Sequence, residues 1–291
     1  MTEVVIVGCG EVGVAYAEGV RGLNPAPTLH LMDPKPGPAG VAFAEGAGLA
    51  IHREAGGWLA GAEVVLLATP GGLLERVLDS LLPHLPAGAV IADMSTASAE
   101  AKRGASVLCG QRGVDYVDVA ITGSVALSKA GTPLLYAGPE IPALISLFTQ
   151  FEAPLTVLED SRPGDAMRVK LLRSVVMKGL EGLAVECLPA AQEYGVLDQL
   201  WASLGDVDRT GFVALLQAMT RTHPRHAARR EHEVADAAAQ LEAIGYPSGM
   251  TRATEQRFAA TNAATARAGW PEHDTTEGTI AWLRSLQAPT R

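Results

Sequence analysis

Gly8-Cys9-Gly10-Glu11-Val12-Gly13 spells G-x-G-x-x-G near the start of the chain. Such a loop can hold an anion without any charged side chain. Gly8 allows a tight turn, Gly10 lets a phosphate approach the backbone, and Gly13 lets a helix pack closely on a strand. The free N–H groups at the helix start then attract the negative charge. The hexapeptide follows the apolar run Val4–Val7 and opens the helix-like stretch Val12–Arg21, which is the context the motif needs. A plain strand-to-helix turn is the competing reading. Asp33 ends the next apolar run, Leu29–Met32, and lies 20 residues after Gly13. A carboxylate at that spacing suits the ribose hydroxyls of a dinucleotide and repels a 2′-phosphate, so NAD is favoured over NADP. Lys35 softens that preference, and Asp33 before Pro34 also reads as a turn residue. Loop and acid together nominate Gly8, Gly10, Glu11, Val12, Gly13 and Asp33 as cofactor contacts.

Three more segments carry small or hydroxylated residues at the carboxyl ends of apolar runs, where ligands of parallel sheets bind. They are Thr69-Pro70-Gly71-Gly72, Asp93-Met94-Ser95-Thr96 and Asp118-Val119-Ala120-Ile121-Thr122-Gly123-Ser124. Each also reads as an ordinary loop. Further on, Arg168 and Lys170 interrupt the otherwise apolar stretch 164–174. Helical spacing puts Lys170, Ser174, Lys178 and Glu181 along one face. Burial, or a positive nicotinamide ring nearby, lowers a lysine pKa, and a lysine brought towards neutrality can act as general acid or base. A lysine that snorkels to solvent is the plain alternative.

These residues need a scaffold, and the chain patterns one. Apolar runs recur at Val4–Val7, Leu29–Met32, Val64–Ala68, Val90–Ala92, Tyr116–Val119, Leu134–Tyr136 and Leu155–Leu158. Helix-like stretches such as Val12–Arg21, Leu73–Leu82 and Ala97–Cys109 lie between them. The alternation predicts an α/β Rossmann-type doubly wound parallel sheet, with a mixed edge near Gly131-Thr132-Pro133 and Gly138-Pro139. After the breaker Ser161-Arg162-Pro163-Gly164 strand signals vanish. Helical periodicity then runs through 165–194, 208–221, 224–244, 250–268 and 275–286, with the tail Gln287–Arg291 expected to fray. Two domains are therefore expected: 1–162, binding a dinucleotide, and 163–291, all-helical.

The 291 residues carry 32 acidic and 23 basic side chains, a net charge of −9. An acidic chain with 5% aromatics is a poor nucleic-acid or anionic-membrane partner. No apolar run reaches the roughly 18 residues of a membrane span, and the start resembles no signal peptide. Cys9, Cys109 and Cys187 are odd in number and far apart, which supports neither a disulfide scaffold nor a metal site. A reduced, cytoplasmic protein is the expectation.

In order along the chain, these motifs resemble the β-hydroxyacid dehydrogenases, the family of 3-hydroxyisobutyrate, tartronate semialdehyde and 6-phosphogluconate dehydrogenases. The likeness rests on G-x-G-x-x-G, Asp93–Thr96, Asp118–Ser124, Gly131-Thr132 and Gly164 with Lys170 six residues on. It implies that Lys170 is the general acid/base and that Ser95 and Thr96 lie on the nicotinamide side of the cofactor. It implies that Thr122, Gly123 and Ser124 hold a substrate carboxylate, and that the helical domain closes the site and dimerises. Thr69 and Pro70 join the expected cofactor contacts. Departures are visible. Ala120, Thr122 and Ser124 replace the family's proline, serine and second glycine, and Ser174 stands where it has an asparagine. Met177 replaces the glutamate of the decarboxylating branch, so no decarboxylation is expected. The C-terminal half resembles a divergent branch whose domain has no assigned function.

The resemblance thus implies an NAD(P)-dependent dehydrogenase passing hydride between nicotinamide and a small anionic hydroxy acid, with Ser174 beside the substrate. The alternatives are an imine reductase on the same fold and a non-catalytic NAD(H)-sensing homodimer. The polar stretch 223–233 places His226, Arg229, Arg230 and Glu233 on one face. It either lines a site in the partner subunit or is a solvated face of helix ion pairs. Trp201, Trp270 and Trp282 are expected as core or dimer anchors.

Overall fold

The computed structural model describes residues 3–287. The sequence alternation is realised as eight strands: β1 Glu3–Val7, β2 Thr28–Met32, β3 Ile51–His52, β4 Val64–Leu67, β5 Val90–Asp93, β6 Asp115–Ile121, β7 Leu134–Ala137 and β8 Leu155–Val157. They form one sheet in the order β3-β2-β1-β4-β5-β6-β7-β8. All neighbours pair parallel except β6 and β7, which are antiparallel, so the edge is mixed. The two-residue β3 was not visible as an apolar run.

Between and after the strands lie α1 Glu11–Gly22, α2 Pro38–Ala47, α3 Leu74–Leu81, α4 Ala99–Gly110, α5 Val125–Ser128, α6 Pro142–Gln150 and α7 Asp165–Glu193. Both sheet faces are covered. Val4, Ile6, Val64, Leu66, Val90 and Ala92 build one core, with Tyr16 and Phe148 over them. Val5, Val7, Val65, Leu67 and Ile91 build the other, with Leu74, Leu78 and Leu81 of α3. Burial on both faces explains why these strands read as unbroken apolar runs rather than alternating ones.

The remaining helices are α8 Leu197–Ser203, α9 Gly205–Asp208, α10 Phe212–Ala243, α11 Gly249–Ala268 and α12 Thr276–Ser285. Helix α10 packs against α11 and α12. The carboxylate of Glu186 accepts hydrogen bonds from the Met250 and Thr251 N–H groups, at 2.8 and 2.9 Å, and so caps α11. Among the described residues no helix is long and apolar enough to cross a membrane.

One expectation needs correction. The stretches 208–221 and 224–244 are not separate helices: α10 runs through Pro224. Proline forfeits one helical hydrogen bond, but Pro224 is buried in a helix clamped by two neighbours, and packing outweighs the loss. Two compact units can be distinguished, and they part between Val175 and Val176, inside α7. The reason is that the first turns of α7 are hydrogen-bonded to the sheet, as described below. Trp201 and Trp270 are 52% and 59% exposed, which leaves for them the dimer-anchor half of the expectation. Residues 288–291 of the tail lie outside the described residues.

Leu78 is fully buried on α3 against the sheet. Leu78→Ala is expected to lower unfolding free energy by about 2–5 kcal/mol, read from urea denaturation.

Candidate active site

Strand order reverses between β1 and β4, and the glycine loop sits there. Gly8 has φ +96°, and a Cβ on it would come within 2.5 Å of the Ala68 carbonyl oxygen. A Cβ on Gly13 would overlap the Gly8 carbonyl oxygen. A Cβ on Gly10 would meet nothing within 4 Å. Two of the glycines are therefore demanded by packing, and the third leaves backbone bare towards a cleft.

That cleft has a volume of about 1270 Å³. Gly8, Gly10, Glu11, Val12, Asp33, Thr69 and Pro70 all line it. Gly13 lies behind it, holding α1 against the loop. The Asp33 carboxylate accepts the Cys9 N–H and the Lys35 N–H, each at 2.8 Å. The acid is thereby locked to the turn. Burial, then the charge of Asp33, pushes the Cys9 thiol up to about 11, which removes it as a nucleophile at neutral pH. The Thr69 hydroxyl is buried without a hydrogen-bond partner at the cleft wall. Bare glycine backbone, a fixed acid and an orphaned hydroxyl fit a dinucleotide. Lys35, Arg53 and Arg76 line the same cleft and add positive charge towards phosphate.

A second pocket, of about 290 Å³, shares Val12 with the first. Its walls include Met94, Thr96, Ile121, Thr122, Gly123, Val125, Lys170, Arg173 and Ser174. The structure thus brings together Thr96, Thr122, Gly123, Lys170 and Ser174. Burial is the larger cause, and nearby Lys102 the next, that depress the Lys170 amine below the ordinary lysine range; Asp118 opposes them. The Thr122 hydroxyl donates to the Pro133 carbonyl at 3.1 Å.

Two nominated residues do not join them. Ser95 is buried, with its N–H on Asp93 Oδ1 at 2.8 Å and its Oγ accepting from the Ala97 N–H. It shapes the turn that presents Thr96. Ser124 is exposed at the start of α5 and is not among the pocket walls. Its neighbours Gly123 and Val125 line the pocket, but Ser124 itself does not. Lys178 pairs instead with Glu181 at 2.9 Å on an exposed surface. In the stretch 223–233, Arg229 and Glu233 are exposed and paired with each other, and Arg225 pairs with Asp274.

Asp93 and Asp118 were read as strand-end candidates for ligand contact. Both are completely buried and face each other in register across β5 and β6. Sequence reasoning missed what lies between them. Lys102 of α4 is also fully buried, with its Nζ 2.7 Å from Asp118 Oδ1, 3.2 Å from Asp93 Oδ2 and 2.9 Å from the Asp93 carbonyl. The Tyr116 hydroxyl donates to Asp93 Oδ2 at 2.5 Å. Asp118 Oδ2 accepts the N–H groups of Gly164 and Met167, both at 3.0 Å, and so caps α7 one turn before Lys170. Two carboxylates within apolar strand segments were the available signal, because such a pair demands a buried cation.

Residues 3–147 match the family model described as the NAD binding domain of 6-phosphogluconate dehydrogenase. Residues 191–261 match a domain of unknown function, DUF1932. The 2-(hydroxymethyl)glutarate dehydrogenase of Eubacterium barkeri is 26% identical over 121 residues, 38% of this chain and 39% of that protein. The matched segment spans less than half the length of the curated relatives, 46% and 39%. Among solved structures, 3-hydroxyisobutyrate dehydrogenase of Mycobacterium tuberculosis with L-serine has a TM-score of 0.63 at 18% identity, covering 99% of this chain and 100% of that one. An imine reductase variant of Myxococcus stipitatus in complex with NAD+ has a TM-score of 0.75 at 16% identity, covering 96% and 99%. At these identities the two structures establish the fold.

The glycine geometry separates folding from binding. Gly10→Ala is expected to fold normally and weaken NADH binding roughly tenfold, a loss of about 1.4 kcal/mol by calorimetric titration. Gly13→Ala is expected to lose about 1–3 kcal/mol of stability through overpacking, seen as a lower melting temperature.

Proposed function

We propose that this chain, with its NAD binding domain like that of 6-phosphogluconate dehydrogenase and its C-terminal domain of unknown function, oxidises a small hydroxy acid, or reduces the matching carbonyl, with Lys170 as general acid/base. The observation that carries this reading is Lys170 itself: half-buried, depressed in basicity, and set in a hydroxyl-lined pocket that shares Val12 with the glycine-loop cleft.

Bound NAD(P) would accept or supply the hydride. The chain's own residues handle the proton and the anion. In oxidation the neutral Lys170 amine takes the substrate hydroxyl proton. In reduction the ammonium returns a proton to the carbonyl oxygen. Gly123 and Ser174 offer hydrogen bonds to a carboxylate, Thr122 would do so only by giving up its bond to the Pro133 carbonyl, and Arg173 adds a cation able to bind the anion as a fork. Met177 stands where a decarboxylating relative would carry an acid. Asp33 favours NAD, while Lys35 and Arg53 in the same cleft keep NADP within reach.

A second reading keeps the fold and changes the substrate to an imine, in line with the imine reductase overlap. A panel of hydroxy acids, semialdehydes and cyclic imines separates the two.

Lys170→Ala is expected to lower turnover by roughly 10²–10⁴-fold with NADH affinity retained, measured by steady-state kinetics and calorimetry. Near-normal turnover would remove the assigned role. Because the neutral amine is the base, oxidation should rise with pH through a midpoint below the ordinary lysine value; reduction should fall through the same limb. Leu172 on α7 is 68% exposed, and Val175 and Val185 are each 70% exposed. We assign this apolar face to a second copy of the chain. Light scattering should give a dimer mass, and Val175→Glu should shift it to monomer.

A further inference from the structure

The buried cluster of Lys102, Asp93 and Asp118 lines neither the cleft nor the pocket. It is nevertheless wired to the helix that carries Lys170. Asp118 uses one oxygen for Lys102 and the other for the N–H of Gly164, just before α7, and that of Met167 in its first turn. Lys102 in turn holds Asp118 in place from α4 and is shared with Asp93.

We propose that Lys102 is a positioning residue for Lys170: through Asp118 it fixes the first turn of α7, and it keeps a permanent positive charge behind the Lys170 amine. The proposal deepens the reading of Lys170 as the proton-transfer group and rests on it.

Removal of Asp118 alone would leave the first N–H groups of α7 uncapped, and removal of Lys102 alone would leave two opposed carboxylates without a cation. Neither substitution simply deletes a surface contact. Their electrical effects on Lys170 oppose each other. Lys102 repels a proton arriving at Lys170, and Asp118 attracts it. The other charges around Lys170 are few. Arg173 shares its pocket from the same helix. Asp165 and Arg168 of the first turn are engaged with each other and with Arg103 and Glu100 of α4. The polar neighbours Thr96, Thr122 and Ser174 do not titrate near neutrality.

The opposed signs give a test that needs no substrate. The chain has five lysines, so a reductively ¹³C-methylated sample yields an assignable spectrum, with the Lys170 resonance identified by its loss in Lys170→Ala. Its pH midpoint would be followed by NMR in the full-length protein. Lys102→Met is expected to move the midpoint up by about one pH unit and Asp118→Asn to move it down by a similar amount. Lys102→Arg, which keeps the charge, should leave it unchanged. Should Lys102→Met not fold, Asp118→Asn decides the matter, because Lys102 there retains Asp93. Non-specific structural damage would not produce shifts of opposite sign that a conservative variant rescues. Midpoints that stay put, or that move in the same direction in both variants, overturn the proposal. That failure is distinct from failure of the catalytic reading, which shows as retained turnover in Lys170→Ala.

Discussion

One lysine between two aspartates ties the molecule's chemistry to its sheet. Asp93 and Asp118 are register partners on adjacent parallel strands, both fully buried. Like charges placed directly opposite repel, and in a dry interior that repulsion is strong. Lys102 resolves it by standing over both. The cluster still carries one excess negative charge. The hydroxyl of Tyr116, the N–H of Ser95 and the first N–H groups of α7 absorb it. The positive end of a helix is thus drawn onto the sheet by an interior carboxylate, the reverse of a helix binding an external anion. The helix so anchored is the one bearing Lys170, and the same anchoring puts the division of the chain within α7.

The opposite end of the site obeys a different constraint. Around the glycine loop the working parts are absences: a missing Cβ at Gly8 and Gly13 lets backbone approach backbone, and a missing Cβ at Gly10 leaves N–H groups bare to the cleft. Asp33 is tied to this turn by the Cys9 N–H. The two clefts share Val12, and the smaller one is lined by Thr96, Thr122 and Lys170. Preorganisation of this kind places reacting groups without a cost at the moment of reaction.

Much of this was legible before any coordinates. The glycine loop and Asp33 line one cleft and Lys170 a smaller pocket that shares Val12 with it. The mixed edge at β7 was marked by its Gly and Pro punctuation. Other features were hidden for physical reasons. Strands buried on both faces show no period-2 alternation, so nothing local tells which face Asp93 or Asp118 serves. A lysine in the helix-like stretch Ala97–Cys109 looks like any solvated lysine until its partners arrive from strands β5 and β6. Pro224 looked like a helix end because propensity penalises it, and tertiary packing overrode propensity. Ser124 looked like a ligand contact by its place in a motif, yet it is exposed between two pocket-lining neighbours, Gly123 and Val125.

By itself, then, the amino-acid order determined the alternation of strands and helices, the anion-binding turn and the candidate proton-transfer lysine. Those depend on backbone freedom and on short-range periodicity, which neighbouring residues carry. Tertiary structure alone decided which polar groups face a ligand and which neutralise one another inside. That choice depends on strand register and on which helix lies over which pair of strands, and both are set by residues distant in the chain.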